Sequence, residues 1–387
     1  MSDLNLRVER IIWRGRGLAR LSSGKVVILA PGVFPGEKVQ AEVIKKKKDY
    51  LEAQTVRVLE PSEWRRPHPC PQALTCGGCR FGVIPNRYQI QLKHKLLRDE
   101  LKRNLGSLIG DSVLENISVH SRNPSWRYRW RAQIHVKKGR AHFKRFNSNE
   151  LIPLFDCLLM ARPLADSISD LCPNVPYSRL TIAASPQDRM ARSEDDLEPL
   201  ILPLTEDGLN LELPAGVFFQ ANWELNKELI SYVRQKANSA ERIADLYAGA
   251  GNFALPLAND GREVLALEAN PEAVDAAQSA ARKLGLDSLE VAQKDLNVPE
   301  SWSLLEDFAP ESVIIDPPRL GGGKTCRALM DLSSLKKLTW VSCDLINTCR
   351  DLKPFLQQGW QIKEVALFDM FPQTWHLETV LSLEKPD

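Results

Sequence analysis

The run Ile243-Ala244-Asp245-Leu246-Tyr247-Ala248-Gly249-Ala250-Gly251-Asn252-Phe253 restricts the fold of this chain more than any other stretch. It reads as a strand, a glycine turn and the start of a helix, and glycines there let backbone approach a ligand closely. A second strand, Glu263-Val264-Leu265-Ala266-Leu267-Glu268, ends in an acid placed to accept ribose hydroxyls. From about residue 209 onward, strand and helix patterns alternate as they do in a parallel α/β sheet. The turn lacks the spacing of a dinucleotide fingerprint, so it implies no pyrophosphate contact, although Gly-x-Gly by itself leaves a nicotinamide enzyme open.

With 387 residues, 43% of them hydrophobic, the chain can bury two or three domain cores. Residues 1–61 show short alternating runs separated by Gly and Pro turns, the pattern of a small all-β barrel. Residues 62–208 are mixed and rich in Pro and Arg, and residues 209–387 form the α/β segment. No apolar stretch approaches the roughly 20 residues of a membrane span, and Met1-Ser2-Asp3-Leu4-Asn5 lacks a signal-peptide core. The expectation is a cytoplasmic protein with no membrane partner; nothing points to an obligate protein partner.

Residues 1–150 hold 30 Lys and Arg against 13 Asp and Glu, a net of +17, whereas the rest holds 21 against 36, a net of −15. A basic front end suits a phosphate backbone. Lys45-Lys46-Lys47-Lys48, Arg65-Arg66, Arg127, Arg129 and Arg131 are the candidates, and Trp126, Tyr128 and Trp130 between arginines favour RNA. The lysine run equally suits a hairpin edge protected against strand addition.

Two sets of cysteines carry chemistry. Disulfides are disfavoured in a cytosolic protein, so the closely spaced Cys70, Cys76 and Cys79, with Gly77-Gly78 between the last two, point to a metal or redox site. A fourth ligand is needed, and Cys157 is the choice; a 4Fe-4S cluster and a structural zinc both fit four thiolates. Cys343 follows the apolar run Leu338-Thr339-Trp340-Val341 and sits where a strand should end. A thiolate there can add to an electron-poor carbon, while a buried Cys would simply pack. Cys172, Cys326 and Cys349 are assigned to packing.

Taken together, Asp316-Pro317-Pro318-Arg319, Val341-Ser342-Cys343-Asp344, Arg350-Asp351-Leu352 and Phe371-Pro372-Gln373-Thr374-Trp375-His376-Leu377-Glu378 resemble the signature run of the RNA 5-methyluridine methyltransferases, which use S-adenosylmethionine. Arg14-Gly15-Arg16-Gly17-Leu18-Ala19 and Pro35-Gly36-Glu37-Lys38-Val39 resemble a TRAM domain, an OB-like RNA-binding barrel. The resemblance implies a class I methyltransferase domain at 209–387, a TRAM-like barrel at 1–61 and a central iron-sulfur domain at 62–208. It further implies a 4Fe-4S cluster on Cys70, Cys76, Cys79 and Cys157, and a cofactor site lined by Gln220, Tyr247, Asn252, Glu268, Asp295 and Asp316. Cys343 would be the nucleophile and Glu378 the general base. The ordinary alternatives are Asn222 as a helix cap, Asp295 as a loop start and Glu378 as a surface residue of a strand.

The implied chemistry explains the residue types. Carbon 5 of uracil is a poor nucleophile; a thiolate added at carbon 6 makes it an enolate able to attack a methylsulfonium, and a base then removes the carbon-5 proton. The target base must leave its stack. Relatives commonly carry Ser-Cys-Asn-Pro where this chain has Ser342-Cys343-Asp344-Leu345, and Asp344 would raise the thiol pKa if it pointed inward. The expected substrate is 23S rRNA, with tRNA uridine, RNA cytosine at carbon 5, or a non-catalytic RNA-binding role as alternatives.

Overall fold

The computed structural model describes residues 3–73, 75–237 and 239–386. The chain forms two compact units, one of Met1–Glu100, Lys144–Glu150 and Phe371–Leu377, the other of Leu101–Phe143, Leu151–Met370 and Glu378–Asp387.

In the second unit the strand Arg242–Leu246 lies within an eight-stranded sheet between parallel strands Glu263–Glu268 and Ser312–Ile315. Leu289–Gln293 continues the parallel set on one side and Lys337–Ser342 on the other. Next comes Glu378–Glu384, which runs antiparallel to both of its neighbours, then Gln361–Phe368 and Ser118–His120. The inner strands are apolar on both faces: Ile243, Ala244, Leu265, Val313, Ile314, Leu338 and Trp340 are all buried. A parallel sheet needs this, because helices cover both its sides. Here those helices include Trp223–Ala237, Pro271–Leu284 and Leu345–Gln357. Pro271 opens its helix, the Asn270 side chain accepts from the Ala273 N–H, and Gly285 closes it in the left-handed region.

The chain winds outward from Arg242–Leu246 through the next two strands, then returns to its other side at Ser312–Ile315. The strand order therefore reverses at Arg242–Leu246, and a ligand crevice opens at the carboxyl ends of the strands around such a point. The same unit contains a five-stranded sheet built on Arg131–Lys137 and Ser178–Ala183, whose buried core includes Ile134, Val136, Leu180 and Ile182.

In the first unit a six-stranded sheet runs in the order Asp3–Arg7, Lys38–Lys46, Tyr50–Glu60, Val26–Leu29, Arg16–Arg20, Arg10–Ile12 around Leu6, Val27, Leu29, Val39 and Ala53. The buried Glu37 carboxylate accepts from the Phe34 N–H at 2.9 Å and from Arg65 Nε at 2.5 Å, so a charge inside this unit is paired. Gln89, on the helix Asn86–Leu105, donates to Gln373 Oε1 at 2.7 Å and accepts from the Gln373 N–H at 2.7 Å. No helix among the described residues is long and apolar enough to cross a membrane.

Candidate active site

The segments that follow Arg242–Leu246 and Ser312–Ile315 line the crevice. Leu246 leads into Tyr247, whose φ of 60° is left-handed for a residue with a side chain, and then into Gly249 and Gly251. Gly251 has a φ of +90°, and a Cβ there would stand 2.9 Å from Leu255 Cγ, so the turn requires glycine. Two carboxylates brace it. Glu268 accepts from the Gly249 N–H at 2.9 Å and from the Ala269 and Asn270 N–H groups at 2.8 Å each. Fully buried Asp245 accepts from the Ala254 N–H at 3.0 Å, and burial, with the charges of Asp316 and Glu268, pushes its pKa far above the usual carboxylate range.

The cleft beside the turn has an empty volume of about 460 Å³ and is lined by Gln220, Tyr247, Asn252, Asp316 and the aromatic rings of Phe219 and Phe253. Tyr247 Oη is 2.9 Å from Thr325 Oγ1, and Asn252 exchanges hydrogen bonds with Asn226 at 2.7 and 3.2 Å. The structure thus gathers four of the six residues expected at a cofactor site. Glu268 stands at the turn with its oxygens largely committed to backbone amides. Asp295 lies on an exposed loop, accepts from both nitrogens of Asn297 at 2.9 Å and has its pKa lowered by those bonds. The glycine turn, open cleft and polar side chains fit a nucleoside-type ligand with an aromatic base. Asn222 caps its helix, its Oδ1 facing the Leu225 N–H at 3.5 Å while its amide donates to Met370 O at 3.2 Å.

Asp316 joins this cleft to the thiol. Lys337–Ser342 pairs antiparallel with Glu378–Glu384, Ser342 opposite Thr379, so one step further brings Cys343 opposite Glu378. A reversed strand begins where its parallel neighbours end, which is why a residue 35 positions downstream faces the cysteine. Cys343 is half-buried, and burial with the Glu378 and Asp316 charges pushes its thiol up to about 12. The Arg319 guanidinium hydrogen-bonds the thiol and pulls the other way. Burial raises Asp316 to about 7 and Glu378, only 3% exposed, well above the usual range. Glu378 is therefore no surface residue.

Arg319 was not singled out from sequence, although Asp316-Pro317-Pro318-Arg319 contained the signal: two prolines fix the chain as it leaves the sheet. The helix Leu345–Gln357 holds the following loop. Asn347 donates to Arg319 O at 2.7 Å, Arg350 to Leu320 O at 2.8 Å, and the Gly322 N–H to Asp351 at 2.7 Å. Asp344 does not aim at the thiol: its carboxylate accepts from the Asn347 N–H at 3.1 Å and caps that helix.

In the first unit Cys70 lies at a bend, Cys76 forms an isolated antiparallel bridge with Arg145 and Cys79 follows the Gly77-Gly78 bend, whereas Cys157 belongs to the second unit. Cys76 Sγ accepts from the Gly78 N–H at 3.4 Å, burial and Cys70 raise its thiol, and the Arg80 cation acts on both Cys76 and Cys79. Among the described residues no three metal-ligating side chains draw together into a preformed site. Cys326 and Cys349 are buried packing residues, while Cys172 is half-buried. Several basic candidates serve the fold: Arg65 pairs with Glu37, and Arg127 grips Asp156 through bonds of 2.7 and 2.6 Å. Tyr128 is buried and Trp130 packs on the core, whereas Lys45–Lys48 are exposed.

Comparison with known proteins gives the family and the fold. A sequence profile described as tRNA (uracil-5-)-methyltransferase fits residues 179–386. The chain is 29% identical to a 23S rRNA (uracil(1939)-C(5))-methyltransferase of Pseudomonas fluorescens, over 98% of this chain and 91% of that one. It is 29% identical to an uncharacterized RNA methyltransferase of Bdellovibrio bacteriovorus, over 99% and 95%. In fold it matches the Pyrococcus abyssi tRNA (uracil-54, C5)-methyltransferase, solved with S-adenosyl-L-homocysteine, at a TM-score of 0.72 with 21% identity, over 98% of this chain and 99% of that one. With its class I methyltransferase-like sheet, the chain belongs to the tRNA (uracil-5-)-methyltransferase family and is an S-adenosylmethionine-dependent RNA (uracil-C5)-methyltransferase.

Proposed function

We propose that the substrate is a uridine of 23S rRNA, methylated at carbon 5 in the cytoplasm through a covalent bond from Cys343. The pairing of Cys343 with Glu378 across the antiparallel strands carries this reading. Gln220, Tyr247, Asn252, Glu268, Asp295 and Asp316 would hold S-adenosylmethionine, which supplies an electrophilic methyl group. Arg319 stabilises the Cys343 thiolate, which adds to carbon 6 of the uracil ring and leaves carbon 5 electron-rich. Once carbon 5 carries the methyl, Glu378 takes its proton and the sulfur leaves as the double bond reforms. Burial raises the Glu378 pKa, which makes its carboxylate a stronger base.

Full-length protein incubated with labelled cofactor and unmodified rRNA or tRNA, followed by nucleoside mass spectrometry, tests this. The expected product is 5-methyluridine in 23S rRNA. Cys343→Ala should yield none, and Glu378→Gln should accumulate a gel-shifted protein–RNA adduct because elimination stalls. Product in tRNA alone would move the substrate, 5-methylcytidine would replace the target base, and a fully active Cys343→Ala protein would end the covalent mechanism.

The organisation that goes with this function is an RNA-binding TRAM-like barrel at 1–61, a central segment at 62–208 and a transferring domain at 209–387. Cys70, Cys76, Cys79 and Cys157 are proposed to hold a 4Fe-4S cluster: glycines between thiols, an N–H on one sulfur and a neighbouring arginine suit an anionic cluster. Anaerobically purified protein is expected to be brown with iron and sulfide present; colourless protein with stoichiometric zinc would assign a zinc site instead.

A further inference from the structure

The first unit contains a second cavity, which the methyl-transfer chemistry does not use. It is a groove open to solvent, about 730 Å³ with the solvent at its mouth included, and three stretches distant in sequence build it: residues of and beside the six-stranded sheet, Phe146 with Asn147, and Trp375. Its lining is largely apolar, with Ile28, Ala30, Pro31 and Ile44, the last 58% exposed although β-branched and hydrophobic, and it carries one carboxylate, Glu52. Two aromatic rings, Phe146 and Trp375, stand in the lining with Arg14 and Arg16. Phe146 is already covered by a cation, with Arg80 4.5 Å from its ring centre, and Trp375 is fixed by edge contact with Trp13 and by stacking on His376. A Cβ on Gly15 would stand 2.3 Å from Trp375 Cβ, so glycine is what lets this ring lie against the sheet. Two non-glycine residues of the lining, Arg14 and Asn147, hold left-handed φ values of 65° and 52°. Such strain persists only where surrounding structure enforces it.

Aromatic faces in an apolar lining take a flat ring, and arginines beside it take an anion; a nucleotide is both. We infer that this cavity binds one unstacked nucleotide of the substrate RNA, its base against Trp375 and Phe146 and its phosphate on Arg14 and Arg16. The inference rests on RNA being the substrate and adds a base other than the one methylated. Trp375 precedes Glu378 by only three residues in the chain, which makes a nucleotide flanking the target the natural occupant.

The test uses full-length protein and a fluorescein-labelled single-stranded 12-nucleotide RNA, read by anisotropy without cofactor, so it reports on the cavity whatever the outcome of the methylation assay. Trp375→Ala is expected to weaken binding about tenfold, in the range of one lost base stack, with Trp375→Phe restoring most of it. Ile44→Glu, at an exposed position where folding is not at stake, should weaken binding by adding a second carboxylate to the one Glu52 already brings to the cavity. Photocrosslinking of 5-bromouridine-substituted RNA should attach to Trp375 or Phe146. Wild-type affinity in both Trp375→Ala and Ile44→Glu, or crosslinks confined to other residues, would overturn the proposal. Loss of 5-methyluridine formation with the binding differences intact would instead strike at the catalytic reading alone.

Discussion

At the scale of single residues the site is an electrostatic contest over one sulfur. Burial, Glu378 and Asp316 favour the Cys343 thiol, and Arg319 favours the thiolate. Because the thiolate is the reactive form and the thiol sits near 12, its population rises with pH across the whole assay range. Arg319→Gln removes the guanidinium acting on the sulfur and should push the thiol higher still. Each unit of that rise costs about tenfold in thiolate at a fixed pH. The expected result is a fall in kcat/KM of at least about tenfold, a pH–rate curve displaced to higher pH, and partial recovery in Arg319→Lys. Alkylation of the Cys343 peptide, followed by mass spectrometry from pH 6 to 9, checks the same shift without turnover. An unchanged alkylation curve would remove Arg319 from this role. The motif around Arg319 was legible in sequence but its role was not, because the partner of a charge is set by which strand ends converge.

At the scale of elements, the parallel strands and the glycine turn were legible because their signals are local: apolar runs, Gly249 and Gly251, an acid at the end of the second strand. The reversed strand was not. Nothing near Glu378 says that Glu378–Glu384 runs against its neighbours, yet that direction brings the carboxylate to the thiol. Asp344 shows the same limit. Read beside Cys343 it is a charge next to a nucleophile; in the structure it is the cap of Leu345–Gln357, the helix that also holds the Arg319–Gly322 loop. Asp344→Ala should cost about 1 kcal/mol of stability, the usual penalty for a lost cap, and lower Tm by a few degrees. Asp344→Asn, which keeps an accepting oxygen, should recover most of it. Neither variant should move the alkylation curve of Cys343 downward, and a thiol that became much more reactive in Asp344→Asn would show that the charge acts on sulfur after all.

At the scale of the whole molecule, the separation of charge between the front end and the remainder was plain from composition, but which cations are free to meet RNA was not. Arg65 and Arg127 are bound to Glu37 and Asp156, so truncating them should unsettle the fold. Lys45–Lys48 are exposed at the turn joining Lys38–Lys46 to Tyr50–Glu60. Among the described residues the pairing of Asp3–Arg7 with Lys38–Lys46 covers Lys38 to Glu42 and does not include the lysines, which would also discourage another strand from adding there. Salt separates the two roles. Each lysine on a phosphate of single-stranded RNA contributes roughly 0.7 to the slope of log affinity against log salt. Replacing all four by Gln should flatten that slope by as much as about 2.8 in the RNA-binding role. In the edge-protection role the slope stays fixed and the variant instead aggregates, which light scattering detects. Because aromatic stacking carries little salt dependence, Trp375→Ala should lower affinity by a similar factor at every salt concentration while leaving the slope near that of the parent protein. The two variants together therefore separate the phosphate-tracking surface from the base-holding cavity.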